Sequence, residues 1–168
     1  MRLLTIVSTC IFLFSGCYSF KGTDIGDTTT YAITGFNDLT SRANPEYIQL
    51  LEQEIREQIN SNTRLIEVKE DEKPHLEFSG KVSRYAVEEQ AANAQDETAF
   101  NRFIITLDVD LINNLNENKG WKKNFTEGEP LGESITFPFT DIEEELEQID
   151  ILNVRLVEKI FNAAFTNW

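Results

Sequence analysis

The residues of this chain that could do chemistry are few and scattered. Cys17 closes the stretch Leu13-Phe14-Ser15-Gly16-Cys17 and stands behind an apolar run, Leu3 to Phe14, that Met1 and Arg2 precede. A thiol behind two small residues at that place suits acylation of a new first residue, because a peptidase can draw the extended backbone of Ser15 and Gly16 into its site. His75 is the one histidine. Beside Pro74, with no second histidine and no other thiol once the leader is removed, it reads as a surface residue rather than a ligand or general base. Asp108 and Asp110 share a strand face and have the right type for a divalent ion, although solvated carboxylates on the outside of a sheet are the commoner role. Asp141 to Glu147 adds further acids, which suit the positive end of a helix, and no two of them stand apart as a glycosidase pair. Gly-x-Ser-x-Gly, P-loop and dinucleotide fingerprints are absent from the sequence. Asn124-Phe125-Thr126 has the form of a glycosylation sequon and Asp27-Thr28-Thr29 that of an O-glycan acceptor. These residues predict a protein that is not an enzyme, with no catalytic residue, no cofactor and no metal ligand.

The N-terminal run has the dimensions of a secretory signal and is too short for a membrane-spanning helix. Its end resembles the lipobox of bacterial lipoproteins, with Phe14 where an aliphatic residue is usual. An ordinary signal peptide cut after Gly16 is the alternative. The expected division is a lipoprotein signal peptide over 1–16, a lipidated tether over 17–27 that carries Gly22 and Gly26, and one domain over 28–168. Cys10 leaves with the signal and Cys17 is modified, so no disulfide can form and the core must hold the domain. The formal charge is −14, and −15 once Arg2 is removed. Such a surface argues against nucleic acid and against a basic patch on anionic headgroups, which leaves acyl chains on Cys17 as the route to the membrane. Tyr18 follows the cysteine where an aspartate would argue for the inner membrane, so the expected location is the outer membrane, lipid-anchored and facing the periplasm.

The elements that must position everything else follow from periodicity. Tyr31 to Phe36 reads as a first strand. Asn44-Pro45 marks a helix start, with Ile48, Leu51, Ile55 and Ile59 as its apolar stripe and Asn60 to Asn62 as its end. Arg64 to Val68 is a short strand and Lys69 to Lys73 a solvated turn. Leu76, Phe78, Gly80 and Val82 alternate with polar residues, and the apolar set resumes at Tyr85 and Val87 on the other parity, which predicts a bulge near Ser83 or Arg84. Glu88 to Glu97 is expected to be a long mobile hairpin connection. Phe103, Ile105, Leu107, Val109 and Leu111 form the clearest strand, and only this set can face a core. A turn over Asn113 to Gly120 leads to a last strand, Trp121 to Thr126, with Lys122 and Lys123 blunting an edge. Glu127 to Pro138 is expected to be irregular. Thr140 and Glu143 suggest a capping box, with Arg155 and Lys159 set towards the far end of the helix they start, as the macrodipole prefers. Ile142, Leu146, Ile149, Leu156 and Ile160 make its face, and Ile151, Val154, Val157, Phe161 and Phe165 widen it. So wide a face wants either two internal partners, sheet and first helix, or another protein. The sum is an α+β two-layer sandwich, two helices packed on one face of a four- to five-stranded mostly antiparallel sheet.

Thr98-Ala99-Phe100-Asn101-Arg102-Phe103-Ile104-Ile105-Thr106, the strand from Phe78-Ser79-Gly80 to Tyr85, Phe36-Asn37 leading to Asn44-Pro45, and the closing Ile160-Phe161-Asn162-Ala163-Ala164 with Asn167-Trp168 resemble the LptE family of lipopolysaccharide-assembly lipoproteins in its Bacteroidetes form. The resemblance runs from Cys17 to Trp168, with poor match at 88–97 and 127–138. It implies a lipid-anchored sandwich of two helices on a four-stranded sheet that plugs and chaperones the outer-membrane β-barrel LptD and assists lipopolysaccharide delivery. The implied partners are that barrel and lipopolysaccharide itself. No motif carries the family's basic lipopolysaccharide-contacting positions onto this chain, and the charge of −15 argues against direct contact. A generic periplasm-facing binding lipoprotein, such as an auxiliary subunit of a lipid transporter, is the alternative function.

Overall fold

The computed structural model describes residues 25–90, 100–131 and 138–166. The expected signal peptide over 1–16, Cys17, most of the expected tether and Asn167-Trp168 lie outside the described residues, as do parts of the two segments expected to be a connection and an irregular stretch.

Five strands form one mixed sheet: β1 (Thr30–Asp38), β2 (Ile66–Glu67), β3 (Leu76–Gln90), β4 (Phe100–Asn113) and β5 (Trp121–Pro130), in the order β2-β1-β3-β4-β5. Among the described residues there are two α-helices, α1 (Tyr47–Asn62) and α2 (Ile142–Phe165). β1 pairs in parallel with both β2 and β3, whereas β3 with β4 and β4 with β5 are antiparallel. The parallel part arises because α1 carries the chain from β1 to β2, and such a crossover returns the strand in the same direction. The α+β sandwich expected from periodicity is the fold observed.

The inward strand set is Tyr31, Phe36, Leu76, Phe78, Val82, Tyr85, Phe103, Ile105, Leu107, Val109, Leu111 and Phe125, all buried in one core with residues of both helices. The parity switch in β3 is a bulge: the register with β4 shifts between Val82 and Arg84, so Val82 and Tyr85 both reach the core. β1 has its own irregularity between Ile33 and Gly35, and Gly35 sits at φ 125, where a side chain would be strained.

α1 buries Tyr47, Leu51, Ile55 and Ile59, so Tyr47 rather than Ile48 begins the stripe. Asn44 does not cap α1 directly. Its Oδ1 accepts from the Glu46 amide at 2.9 Å and fixes the turn that leads in, while Glu46 heads the helix without a side-chain cap. The wide face of α2 is divided between α1 and the sheet, where it meets β5 and β4. The two edges of that face lie outside the contact, with Ile142 65% and Val154 50% exposed.

Four further expectations are corrected. β3 runs on to Gln90, because Glu88, Glu89 and Gln90 pair with Arg102, Asn101 and Phe100; backbone ladders need no apolar side chain, so polarity hid the strand. β5 continues to Pro130, the last residue of an edge strand, where a missing N–H is tolerated. The cap of α2 is Asp141, whose Oδ1 accepts from the Glu143 amide at 2.8 Å, and not Thr140. Arg155 and Lys159 lie short of the last turn, which holds no basic residue. They reach β5 instead: Arg155 Nη1 is 2.6 Å from Glu129, and Lys159 pairs with Glu127.

Candidate functional site

His75 sits where the chain enters β3, beside the start of β1. The Thr29 amide donates to its Nδ1 at 3.0 Å, and the His75 amide donates to Thr30 Oγ1 at 3.0 Å. His75 thus ties the start of β1 to the start of β3 through its ring and its amide. Thr28 is buried, so of the two threonines in the candidate O-glycan stretch only Thr29 is exposed.

Asp108 and Asp110 do share the outer face, on the side of the sheet away from the helices, and they line a shallow hollow of about 620 Å³ with Lys81, Lys122 and Asn124. Each already has a partner on β5. Lys122 Nζ lies 2.5 Å from Asp110, and Asn124 Nδ2 donates to Asp108 at 2.7 Å. These are cross-strand pairs of the kind that stabilise a sheet. Among the described residues no group of three or more His, Cys, Asp or Glu side chains converges as a metal site would need.

The acids at the start of α2 divide by face. Glu143 and Glu144 take no part in the core, but Glu145 does: its carboxylate accepts from the Tyr85 hydroxyl on β3 and, at 3.3 Å, from Asn44 Nδ2 ahead of α1. Burial first, and the bond to Glu145 second, push the Tyr85 hydroxyl well above the usual phenol range. Tyr47, whose ring lies tilted against that of Tyr85 with centroids 5.7 Å apart, is raised mainly by its own burial. A neutral phenol donating to a carboxylate pins α2, β3 and the α1 lead-in together. With both carboxylate oxygens engaged, Glu145 acts as a clasp. Above it opens a cleft of about 750 Å³ lined by Ala43, Pro45, Phe139 and the exposed Ile142. Sequence reading missed this clasp and assigned Glu145 to the helix dipole. A signal was present, since Glu145 precedes Ile149 and Leu152 by four and seven residues and so lies on the buried stripe.

These places are a polar hollow on the sheet and an apolar cleft at the helix starts. No described helix is long and apolar enough to cross a membrane. No family model and no curated protein matches the chain. Solved structures with a similar fold include the hypothetical protein CT253 from Chlamydia trachomatis, at TM-score 0.56 and 9% identity over 83% of this chain and 99% of that one. A second is protein XCC0632 from Xanthomonas campestris, of family DUF330, at TM-score 0.52 and 9% identity over 81% and 84%. A third is a PelC dodecamer from Paraburkholderia phytofirmans, at TM-score 0.52 and 9% identity over 82% and 88%. Some weaker matches, at TM-score 0.47 and below, are named as lipoproteins, rare lipoprotein B from Shewanella oneidensis among them; likenesses that slight carry no argument. At such identities what this chain shares with its neighbours is the fold.

Proposed function

We propose that this chain is an acyl-anchored lipoprotein of the outer membrane that works by binding, as an LptE-like plug and assembly partner of an LptD-type β-barrel in lipopolysaccharide transport. The observation that carries the proposal is Ser15-Gly16-Cys17 at the close of an apolar leader, which sets an acylated residue ahead of β1 at Thr30. Two features support it. The fold is the two-helix sandwich that the resemblance implies, and the polar groups at its centre, Tyr85, Glu145 and Asn44, are engaged with one another in holding the elements.

Metabolic labelling with an alkynyl fatty acid marks the wild type and not Cys17→Ala; persistent label on the variant would exclude this anchor. Depleting the protein lowers the amount of assembled barrel and sensitises cells to bulky hydrophobic antibiotics. If barrel and surface lipopolysaccharide are unchanged on depletion, the LptE-like reading fails and a generic binding lipoprotein replaces it.

A further inference from the structure

α1 and α2 pack side by side, and a groove of about 390 Å³ runs along their seam. α1 contributes Glu46, Leu50, Gln53 and Glu54, spaced by four, three and one; α2 contributes Leu146, Ile149, Asp150 and Asn153, spaced by three, one and three. Each set is one helical face, so the lining is a continuous strip. Its floor is apolar, and Leu50 remains 37% exposed. Its polar members are all acids or amides, and no lysine or arginine is among the lining residues.

Several acids that face a neighbouring element elsewhere in this fold are matched by cations. Arg56 bridges Glu52 and Glu67, Arg155 meets Glu129, Lys159 meets Glu127, and Lys122 meets Asp110. The groove departs from that pattern. Glu54 is only partly exposed, and its carboxyl is pushed above the ordinary range by burial and then by the charges of Glu57, on its own helix, and Asp150, on the facing one. Beside them Asn153 is 4% exposed, and its Oδ1 is buried with no hydrogen-bond partner. A buried acceptor without a donor is costly. One guanidinium would meet both needs, giving charge to Glu54 and Asp150 and, once the Asn153 side chain turns its Oδ1 into the groove, N–H donors to that amide, while its alkyl stem lay along Leu50.

We infer that the α1/α2 groove is a docking site for an arginine carried on an apolar-flanked segment of a partner protein. Charge complementarity selects that partner over a second copy of this chain, since two molecules of formal charge −14 repel. The preference is set by α1 and α2 alone and holds whether or not the partner is a barrel.

The test uses the full acylated chain in nanodiscs, labelled on its Asn side chains. The probe is a capped pentapeptide with arginine between two leucines, compared with the same peptide carrying uncharged citrulline and with free spermidine. The arginine peptide shifts the Asn153 side-chain amide saturably, and citrulline or the double change Glu54→Gln with Asp150→Asn weakens binding about tenfold, as loss of a charge-assisted bond requires. Thermal melts of the double variant that match or exceed the wild type exclude misfolding as the cause. Equal binding of the citrulline peptide, or no saturable shift, overturns the inference. Binding of spermidine as tight as that of the peptide overturns the protein source and leaves a polyamine site, and peptide-independent self-association through the groove overturns the choice of partner.

Discussion

Leu107→Asp abolishes cooperative folding, whereas Asp108→Ala leaves the melt close to that of the wild type. The two residues are neighbours on β4, yet Leu107 is fully buried between Val82 of β3 and Phe125 of β5, and Asp108 faces the outer hollow. Burying a carboxylate with no partner costs several kcal/mol even when its pKa rises to keep it neutral, against a domain stability of about 5–15 kcal/mol. Asp108 loses one bond to Asn124 on a solvated face, worth about 0.5–1.5 kcal/mol. Circular dichroism melts of the two variants decide the matter. Effects of similar size would mean that the faces of β4 are assigned wrongly.

Gly80→Ala is expected to lower stability by about 1–3 kcal/mol, the usual cost of overpacking. A Cβ there would lie 2.6 Å from Phe36 Cε1 and 2.7 Å from the Asp108 carbonyl oxygen. The phenyl ring can turn, but the carbonyl belongs to the backbone of the interior strand β4, paired on both sides. The β3/β4 ladder must therefore give at Gly80 and Val109. Adding Phe36→Leu should restore only part of the lost stability, since it frees the ring side and not the backbone side. A double variant that melts like Phe36→Leu alone would show that the ring contact was the entire cost. Urea unfolding midpoints at constant m-value make the comparison clean.

How far the sequence reaches depends on whether a residue's role is set by its near neighbours in the chain. Alternation over Phe103 to Leu111 fixed both the strand and its inward face, because a period of two leaves one set of side chains on each side. The parity change after Val82 foretold the bulge for the same reason, and the three- and four-residue spacing of α1 and α2 foretold the helices. The expectation of an acylated Cys17 behind a leader rests on a local pattern too, and labelling rather than the fold tests it. Strand ends were not legible where Glu88 to Gln90 and Glu127 to Pro130 carry polar, glycine and proline residues, because their pairing is decided by the backbone of β4 rather than by their own side chains.

The roles of single charged residues were decided by tertiary structure alone. Arg155 and Lys159 read as answers to a helix dipole and proved to be partners of Glu129 and Glu127 across from β5. Glu145 read as one of a run of acids and proved to be the acceptor for Tyr85, sixty residues away. No pattern in the sequence singled out Glu54 or Asp150, and only the packing of α1 on α2 set them near each other beside the buried amide of Asn153. Apolar residues announce themselves by periodicity because water rejects them all in one direction. A charge is free to face solvent or any partner of opposite sign, so its place is fixed by whichever element the fold brings opposite it.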